Sequence, residues 1–344
     1  MILVTGGAGF IGTNFIRSWL AASDEPVINL DRLTYAGTRA GLEDLPDDRH
    51  CFVEGDIADR QLVDHLLAHY RPRALINFAA ETHVDNSIRG PQAFIDANIV
   101  GVFHLLEAAR HYYQTLPMEQ RDAFRFLQIS TDEVYGDLAM DALPVTEQAP
   151  YRPSSPYAAA KASADHLVRA YHRTYGLPIM ISHCSNNYGP YQYPEKLIPL
   201  MLRRALAGQP MPVYGDGQQQ RDWLHVEDHC AAVRRILACG GIGESYNIGT
   251  GKEIDNLSLV NHLCSRLDEL KPRADGGSYR QQITFVADRP GHDRRYALDI
   301  RKATTQLGWK PQWDFSAGLE QTIQWYLGHP AYLARSSAST EGEA

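Results

Sequence analysis

The fold of this chain is decided by the stretch Ile2-Leu3-Val4-Thr5-Gly6-Gly7-Ala8-Gly9-Phe10-Ile11-Gly12. An apolar run of strand length leads into the glycines, and helical spacing follows them. Glycines let the chain turn tightly and let its backbone approach a pyrophosphate, which the free N–H groups of the next helix bind. The spacing G-x-x-G-x-x-G also suits an ordinary strand-to-helix turn. It therefore predicts a dinucleotide-binding loop only where other residues support it.

Two acidic positions downstream give that support. Asp31 ends the second strand-like run about 20 residues after Gly9, where a carboxylate can accept hydrogen bonds from the adenosine ribose. A carboxylate there repels a 2′-phosphate, so we expect NAD rather than NADP, although the adjacent Arg32 acts in the opposite sense. Asp56 and Ile57 follow the third run and are expected to flank the adenine. Together these residues predict NAD as the cofactor.

Strand-like and helix-like segments alternate through the first half of the chain. The strand-like runs are Ile2–Thr5, Val27–Leu30, Cys51–Val53, Ala74–Ala80, Phe126–Ser130 and Ile179–Ser182. The helical stretches are Asn14–Ala22, Gln61–His69, Phe94–Tyr113 and Ser155–Tyr175. Strands joined by helices predict right-handed crossovers, and hence an α/β fold with a doubly wound parallel Rossmann sheet.

The pattern changes after residue 185, where prolines become frequent and the periodicity is lost. We predict an NAD-binding domain over residues 1–185, with segments around 220–250 returning to its sheet. Residues 186–330 are predicted to form a smaller, irregular C-terminal substrate-binding domain. Residues 331–344 are predicted to be a flexible tail.

Composition and charge exclude several classes of protein. The 344 residues carry a formal net charge of -8, which argues against a nucleic-acid partner. No apolar stretch approaches the ~18 residues of a membrane span, and the first residues lack the basic and apolar regions of a signal peptide. The five cysteines are scattered without a C-x-x-C pair, which indicates free thiols in a reducing compartment. We therefore expect a cytoplasmic protein that does not bind a membrane.

Tyr157 and Lys161 are spaced i, i+4, which places both side chains on one face of a helix. A nearby ammonium favours the phenolate, lowers the pKa of the tyrosine and makes it a usable base near neutral pH. The pattern Y-x-x-x-K is common in unrelated proteins. Its position downstream of a dinucleotide-binding loop favours a catalytic function.

The chain resembles the extended short-chain dehydrogenase/reductase family, and within it the dTDP-glucose 4,6-dehydratases. The motifs that carry the resemblance are Ala79-Ala80-Glu81-Thr82-His83-Val84-Asp85, Thr131-Asp132-Glu133-Val134-Tyr135-Gly136, Asn186-Asn187-Tyr188-Gly189-Pro190, Pro194-Glu195-Lys196-Leu197-Ile198-Pro199, Arg221-Asp222-Trp223 and Asp288-Arg289-Pro290-Gly291-His292-Asp293. They extend over most of the chain. The resemblance implies a homodimer with tightly bound NAD that removes water from a nucleoside-diphosphate glucose, most simply dTDP-glucose, to give a 4-keto-6-deoxy sugar for deoxysugar formation.

Asp132 and Glu133 suit this chemistry on their own terms. Elimination across C5 and C6 of a sugar needs a base for the C5 proton and an acid for the departing hydroxyl, and oxidation at C4 makes that proton acidic. Consecutive strand residues point to opposite faces, so the strand must end near Thr131 for both carboxyl groups to reach one substrate. The alternative interpretation is a pair of solvated carboxylates at a strand end.

The resemblance also assigns a role to each catalytic residue. Tyr157 takes the C4 hydroxyl proton, Thr131 hydrogen-bonds the C4 oxygen, and Lys161 tunes Tyr157 and binds the nicotinamide ribose. Glu133 removes the C5 proton, and Asp132 protonates the C6 hydroxyl as it leaves.

Further contacts follow from the same motifs. The predicted cofactor contacts are Gly6, Gly9, Phe10, Ile11, Gly12, Asp31, Arg32, Leu33, Thr34, Asp56, Ile57, Ala79, Ala80, Thr82, Tyr157, Lys161 and Asn187. The predicted substrate contacts are Thr82, His83, Thr131, Asp132, Glu133, Asn186, Glu195, Lys196, Leu197, Pro212, Tyr214, Arg221, Asn256, Arg289 and His292. Among the latter, Lys196, Arg221 and Arg289 supply the positive charge that a diphosphate requires.

Three positions depart from the family pattern: Ala97 stands in place of Thr, Asn86 in place of Arg, and His225 in place of Tyr. His225 and His229 are also spaced i, i+4, but no third ligand is evident, and we expect no metal. The rival functions are a nucleotide-sugar 4-epimerase, a dehydratase for another nucleoside-diphosphate glucose, and a non-catalytic NAD sensor. An epimerase has no use for the Asp132–Glu133 pair. The sequence does not decide which nucleotide base the substrate carries.

Overall fold

The computed structural model describes residues 1–335. Its strands are β1 (Ile2–Thr5), β2 (Val27–Asp31), β3 (His50–Glu54), β4 (Ala74–Asn77), β5 (Arg125–Thr131), β6 (Ile179–Cys184), β7 (Asn186–Tyr188), β8 (Met211–Tyr214), β9 (Gln220–His225), β10 (Ser245–Ile248), β11 (Glu253–Asp255) and β12 (Ile283–Val286). Its α-helices are α1 (Phe10–Ala22), α2 (Arg60–Tyr70), α3 (Val84–Arg89), α4 (Gln92–Ile95), α5 (Val102–Thr115), α6 (Met118–Ala123), α7 (Pro156–Tyr175), α8 (Leu197–Leu206), α9 (Val226–Cys239), α10 (Asn256–Leu270), α11 (Arg301–Leu307), α12 (Phe315–Gly328) and α13 (Pro330–Leu333).

Seven parallel strands form the central sheet in the order β10-β6-β5-β4-β1-β2-β3. The chain runs from β1 outward through β2 to β3, and then crosses to β4 on the other side of β1. The strand order therefore reverses at β1, and a crevice opens where β1 and β4 end. The predicted doubly wound parallel sheet is confirmed.

Helices cover both faces of this sheet and fix its edge for the site. On one face, Phe15 of α1 packs in a core with Ile236 of α9 and Leu307 of α11. On the other face, Leu105 of α5 and Val168 of α7 belong to a second core. Each such fully buried side chain contributes roughly 1.5–3 kcal/mol of hydrophobic free energy. This packing holds α1 and α7, which carry the predicted cofactor loop and the Tyr157–Lys161 pair.

The second half of the chain builds a smaller unit with its own core. A three-stranded sheet (β11-β9-β7) and a two-stranded sheet (β12-β8) pack with α8, α10 and α12. Parts of this half also return to the large sheet, as predicted, but with different bounds. β9 lies in the small sheet, so the return begins with α9 and continues through β10, which pairs with β6. A second return, which the sequence did not predict, brings Ala303 and Trp309 into the first core.

The C-terminal segment is ordered further than the sequence predicted. The proposed tail was to start at residue 331, but α13 continues to Leu333, whose side chain is buried. Arg335 then donates a 3.0 Å hydrogen bond from Nη2 to the backbone oxygen of Gly37. Its guanidinium lies over the rings of Tyr193 and Tyr332. These contacts, termed the C-terminal clasp, join the end of the described chain to the loop after β2; residues 336–344 of the predicted tail lie outside the described residues.

Two smaller differences concern element bounds. The predicted strand Ala74–Ala80 ends at Asn77, because its neighbour β1 ends at Thr5, the pairing partner of Asn77. The predicted helix Phe94–Tyr113 is interrupted by a π-helical turn over Asp96–Gly101. Within residues 1–335, no helix combines the length and apolar character needed to cross a membrane.

Candidate active site

The glycine loop after β1 has the geometry of a phosphate cradle. Gly6 has φ +72°, and a Cβ there would meet the backbone nitrogen of Ala79 at 2.5 Å. A Cβ on Gly12 would clash with the backbone of Gly6, whereas Gly9 has only the Gly6 oxygen nearby and faces open space. No side chain caps α1 at Gly9, so the first N–H groups of the helix are free to bind an anion. The loop therefore fits the pyrophosphate of a dinucleotide.

A cleft of about 300 Å³ opens at the carboxyl ends of the central strands, beside this loop. It is lined by the predicted cofactor contacts Gly6, Gly9, Phe10, Ile11, Gly12, Asp31, Arg32, Thr34, Asp56, Ile57, Ala79, Ala80, Thr82, Tyr157, Lys161 and Asn187. Leu33 does not line the cleft; its backbone N–H donates to Asp31 Oδ1 at 2.8 Å. Thr131, Asp132, Glu133, Asn186, Glu195 and Lys196 line the same cleft. Predicted cofactor and catalytic residues thus converge on one space.

Asp31 and Arg32 differ in their freedom to meet a ligand. Asp31 Oδ2 accepts from Ala8 N at 2.9 Å, which ties the end of β2 to the glycine loop. Arg32 is held by two carboxylates, Asp56 at 3.0 Å and Glu81 at 2.6 Å. Its charge is already compensated on the rim of the cleft. The arrangement therefore favours NAD over a cofactor with a 2′-phosphate.

The chain turns sharply after β5, as the catalytic hypothesis requires. β5 ends at Thr131, and Asp132–Tyr135 forms a single 3₁₀ turn. Thr131 Oγ1 accepts from the backbone N–H of Glu133 at 3.3 Å, which holds the turn in place. Both Asp132 and Glu133 consequently line the cleft instead of pointing to opposite faces of the sheet.

The two carboxyl groups differ in proton affinity. Burial, and then the neighbouring Glu133, raise the pKa of Asp132 well above its usual range. Asp132 Oδ2 is buried and has no hydrogen-bond partner among the described residues. Burial also raises the pKa of Glu133, but Arg289 and Arg221 oppose that rise. Asp132 therefore retains its proton more readily than Glu133, which is the division expected of an acid and a base.

Tyr157 and Lys161 lie on the inner face of α7, within its first turns. Ser155 caps this helix, because its Oγ accepts from Ala158 N at 3.1 Å. Lys161 Nζ donates to the backbone oxygen of Ile129 at 2.6 Å, and burial lowers its pKa. Burial, followed by Glu133, raises the pKa of Tyr157 well above its usual range. Lys161 alone therefore does not produce the low tyrosine pKa expected from the sequence.

The remaining predicted substrate contacts are His83, Leu197, Pro212, Tyr214, Arg221, Asn256, Arg289 and His292, and none lines the cleft itself. Several meet at Asp85, which lies 3.3 Å from the Tyr214 hydroxyl and 3.5 Å from Arg289 Nη1. Arg221 is buried, donates to the backbone oxygen of Asp293 at 2.7 Å, and acts with Arg289 on the pKa of Glu133. These cations therefore adjoin the catalytic pair.

The other positions hold more local contacts. His83 Nε2 lies 3.9 Å from Glu195, and burial lowers the pKa of His83 to about 4. His292 Nδ1 lies 2.6 Å from Asp288. Leu197 begins α8 and Pro212 lies in β8. Among the predicted substrate contacts other than Asp132, three buried polar atoms have no hydrogen-bond partner in the described chain and are open to a ligand. They are Asn186 Oδ1, Asn256 Oδ1 and Arg289 Nε.

The three departures from the family pattern have different surroundings. Ala97 lines the cleft from the π-helical turn. Asn86 lies beside the hydroxyl of Tyr35. His225 caps α9 and packs on Trp313, with ring centroids 4.4 Å apart. His229 Nδ1 lies 2.9 Å from Asn187 Oδ1, and residues 1–335 contain no cluster of three side chains placed to bind a metal.

Some cleft residues were missed by the sequence reasoning. Cys184 is the last residue of β6 and Ser185 follows it, and burial raises the pKa of the Cys184 thiol to about 12. Gln192 and Tyr193 reach the cleft from the next loop. The carboxyl end of a central strand is where ligands bind in such sheets, so Cys184 and Ser185 had a usable signal. For Gln192 and Tyr193, no signal in the sequence indicated that they line the cleft.

Comparison with known proteins agrees with this geometry. The sequence matches the family described as GDP-mannose 4,6 dehydratase over residues 3–322. A dTDP-glucose 4,6-dehydratase of Xanthomonas campestris pv. campestris (strain B100) is 55% identical over 334 residues, covering 96% of this chain and 94% of that protein. The structure of DesIV, a dTDP-glucose 4,6-dehydratase from Streptomyces venezuelae with NAD bound, has a TM-score of 0.87 and 44% identity, covering 96% of this chain and 98% of that one.

The shared fold extends to enzymes of another activity. A UDP-glucose 4-epimerase from Thermotoga maritima has a TM-score of 0.83 at 29% identity, covering 96% of this chain and 99% of that one. The fold alone therefore does not separate the two reactions. Identity over nearly the whole length does, and this chain belongs to the dTDP-glucose 4,6-dehydratase family.

Proposed function

We propose that this chain converts dTDP-glucose to dTDP-4-keto-6-deoxyglucose with NAD that stays bound through the cycle. The observation that carries the proposal is the Asp132–Glu133 pair, which lines one cleft with Tyr157 and the glycine loop. The relatives that match most of the chain are named for this activity.

The first half of the reaction uses Tyr157, Thr131 and Lys161. Bound NAD would supply the redox chemistry, as the acceptor of the hydride from C4 and its donor to C6, and its positive ring would favour the tyrosinate. Tyr157 accepts the proton of the C4 hydroxyl, and Thr131 hydrogen-bonds the same oxygen. Lys161, already aimed at the end of β5, holds the nicotinamide ribose. The product of this half-reaction is a 4-ketone.

The second half uses the two carboxyl groups. Glu133 takes the C5 proton, which the adjacent ketone has made acidic, and Asp132 gives its proton to the C6 hydroxyl, which leaves as water. The raised pKa of Asp132 favours the protonated form that this step needs. Glu133 returns its proton to C5 as the hydride reaches C6. Solvent exchange passes the proton held by Tyr157 back to Asp132, so the net change is loss of one water.

Lys196, Arg221 and Arg289 are proposed to bind the diphosphate. Lys196 reaches Thr82 O at 2.8 Å, and the two arginines adjoin Glu133. A planar guanidinium binds diphosphate oxygens through paired hydrogen bonds, which the free Nε of Arg289 permits. Thymidine is proposed as the base from the names of the relatives.

Turnover of dTDP-, UDP-, CDP- and GDP-glucose, measured side by side, tests the proposal. A 4-keto-6-deoxy product gives a new absorbance band in alkali, whereas a 4-epimer gives none. We expect the band with dTDP-glucose first and most strongly. A C4 epimer, or no product with any of the four sugars, contradicts the proposed function. A strong band with another nucleotide alone contradicts only the choice of base.

We further propose a cytoplasmic homodimer. Its support is an apolar surface on the helices that precede and follow the π-helical turn, where Ile95, Val100 and Phe103 are 42%, 40% and 42% exposed. At the end of α7, Tyr175 is also half exposed and packs against Arg110 of α5. Exposed apolar clusters of this kind are typical of subunit contacts. All five cysteines are free thiols, as expected in a reducing compartment.

A further inference from the structure

A buried polar network lies between α7 and the strands β5 and β6, on the face of α7 that carries Lys161. Its centre is Asp165, whose side chain is fully buried one helical turn beyond Lys161. Ser130 Oγ donates to Asp165 Oδ2 at 2.6 Å, and His183 Nε2 lies 3.3 Å from the same oxygen. The Tyr151 hydroxyl lies 3.3 Å from Asp165 and 2.7 Å from His183. Asp165 Oδ1 has no hydrogen-bond partner in the described chain.

The network and Lys161 hold the same junction at neighbouring points. Ser130 lies between Ile129, whose backbone oxygen accepts from Lys161, and the catalytic Thr131. α7 is thus joined to the end of β5 by two adjacent contacts, one from Lys161 and one from Asp165. A shift of either contact would move Tyr157 and Lys161 relative to Thr131. The spacing between acid, base and cofactor contacts therefore depends on a side chain that touches none of the reactants.

Charge gives a second link between Asp165 and Lys161. Burial disfavours the Lys161 ammonium, and Asp165 is the largest influence that opposes this effect. A buried ammonium with no counter-charge is costly, and a neighbouring carboxylate compensates it. The titratable or charged groups that face Asp165 or its network are Lys161 and Arg169 on α7, His183 and Cys184 on β6, Tyr135 after β5, and Tyr151 and Glu147 on the following loop.

We propose that Asp165 is a positioning residue for the reaction: through Ser130, its buried carboxyl group fixes α7, and with it Tyr157 and Lys161, against the end of β5. Asp165 acts only through Lys161 and Ser130, and it makes no contact with substrate or cofactor. The inference rests on the proposed function, because Lys161 is assigned there to the nicotinamide ribose.

The test compares Asp165→Asn and Asp165→Ser, which remove the charge, with Ser130→Ala, which removes a hydrogen bond and keeps the charge. Two quantities are followed against pH: the dissociation constant of NAD, and the rate of C4 oxidation after rapid mixing with dTDP-glucose. Asp165 raises the pKa of Lys161, so its removal lowers that pKa and the ammonium is lost at lower pH. In the two Asp165 variants, the loss of NAD affinity and of oxidation rate at alkaline pH should begin at a pH lower by about 1 unit or more than in the wild type.

The controls separate charge from packing. Ser130→Ala should slow oxidation yet leave the alkaline side at its wild-type pH, and Asp165→Glu should restore it. The KM for dTDP-glucose should stay near the wild-type value in all variants, while kcat falls. The proposal would be overturned if, in the Asp165 variants that fold, NAD affinity and oxidation rate fell at the same alkaline pH as in the wild type. The pH profile of NAD binding could shift in the Asp165 variants while the wild type does not turn over dTDP-glucose. That result would support the positioning role and contradict the proposed function.

Discussion

Asp132 and Glu133 are adjacent in sequence, yet the fold gives their carboxyl groups different surroundings. Asp132 is buried at the base of the turn, where burial and the charge of Glu133 favour its neutral form. Arg289 and Arg221 favour the ionised form of Glu133. A pair of identical solvated carboxylates would titrate together. Arg221 acts on both carboxyl groups, whereas Arg289 is the leading influence against the rise in the pKa of Glu133.

Replacing Glu133 should separate the two half-reactions. Glu133→Gln leaves Tyr157, Thr131 and Lys161 intact, so hydride transfer from C4 should proceed and elimination should stall. Losing a placed base costs about 10²–10⁴ in rate, so absorbance of the reduced cofactor should accumulate after rapid mixing with dTDP-glucose. Tyr157→Phe, the matched control, should block the first step and give no such absorbance. Near wild-type turnover by Glu133→Gln would exclude Glu133 as the base.

Asp132 should also reveal itself through stability. Its folded-state pKa is raised, so the folded chain binds the proton more tightly than the unfolded chain does. Wild-type stability should therefore fall as pH rises from the unfolded pKa, about 4, through the folded one. Asp132→Asn cannot ionise and should unfold at higher denaturant concentration than wild type at pH 8, but not at pH 4. Urea unfolding at both pH values measures this, and an equal difference at both would refute it.

At the scale of single elements, the N-terminus of α7 places Tyr157. Ser155 caps the helix two residues before Tyr157, and the cap accepts the N–H of Ala158. Ser155→Ala should lower the free energy of unfolding by about 1 kcal/mol and reduce kcat more than KM. Ser163→Ala removes a hydroxyl in the middle of the same helix, where Oγ bonds Ala159 O, and should change kcat little. Equal effects of the two substitutions on kcat would show that the cap does not position Tyr157.

Element types were predictable where periodicity and neighbours agree. The end of β5 at Thr131 followed from the need to aim two carboxylates at one substrate, and the structure confirms that end. The end of β4 was wrong by three residues: Phe78-Ala79-Ala80 continues the apolar run, but Asn77 is the last residue that pairs with β1 and with β5. The π-helical turn left no trace in the apolar spacing.

The residues of the site also fall into those that local sequence spacing predicts and those that it does not. The glycine loop, Asp31, Tyr157 and Lys161 follow from local spacing, which a sequence shows directly. The cations around Glu133 come from β9 and the loop after β12, and only the resemblance placed them. Asp165 and Ser130 are short polar residues at positions that look like a helix interior and a strand interior. Their contact joins segments 35 residues apart, and nothing local announces it.

At the scale of the whole molecule, the apolar surface around the π-helical turn predicts association. Phe103 of this surface is 42% exposed, and placing a charge there should prevent burial against a second copy. Phe103→Glu should sediment as a monomer at micromolar concentration, while the wild type sediments as a dimer. Phe285→Glu makes the same change at a 59% exposed phenylalanine on β12 and should remain dimeric. A monomeric wild type, or a dimeric Phe103→Glu, would place the interface elsewhere.

The C-terminal clasp predicts a slow loss of cofactor. Arg335 bonds the backbone of Gly37, and Thr34, Ala36 and Gly37 line the cleft, so the loop they form has to move before a dinucleotide escapes. Arg335→Ala removes a charged hydrogen bond worth about 1.5–3 kcal/mol and should speed NAD dissociation by roughly tenfold or more. Arg301→Ala, at an exposed arginine paired with Asp299, should leave the rate unchanged. Equal rates of NAD dissociation in the two variants would show that the clasp does not slow the release of the cofactor.

Such slow release matters because the proposed reaction lends the substrate's own electrons to the cofactor for part of each cycle. Escape during that interval would leave behind an oxidised sugar and an enzyme unable to finish. On this prediction, the clasp sets how many sugars one cofactor molecule serves before the protein has to capture another.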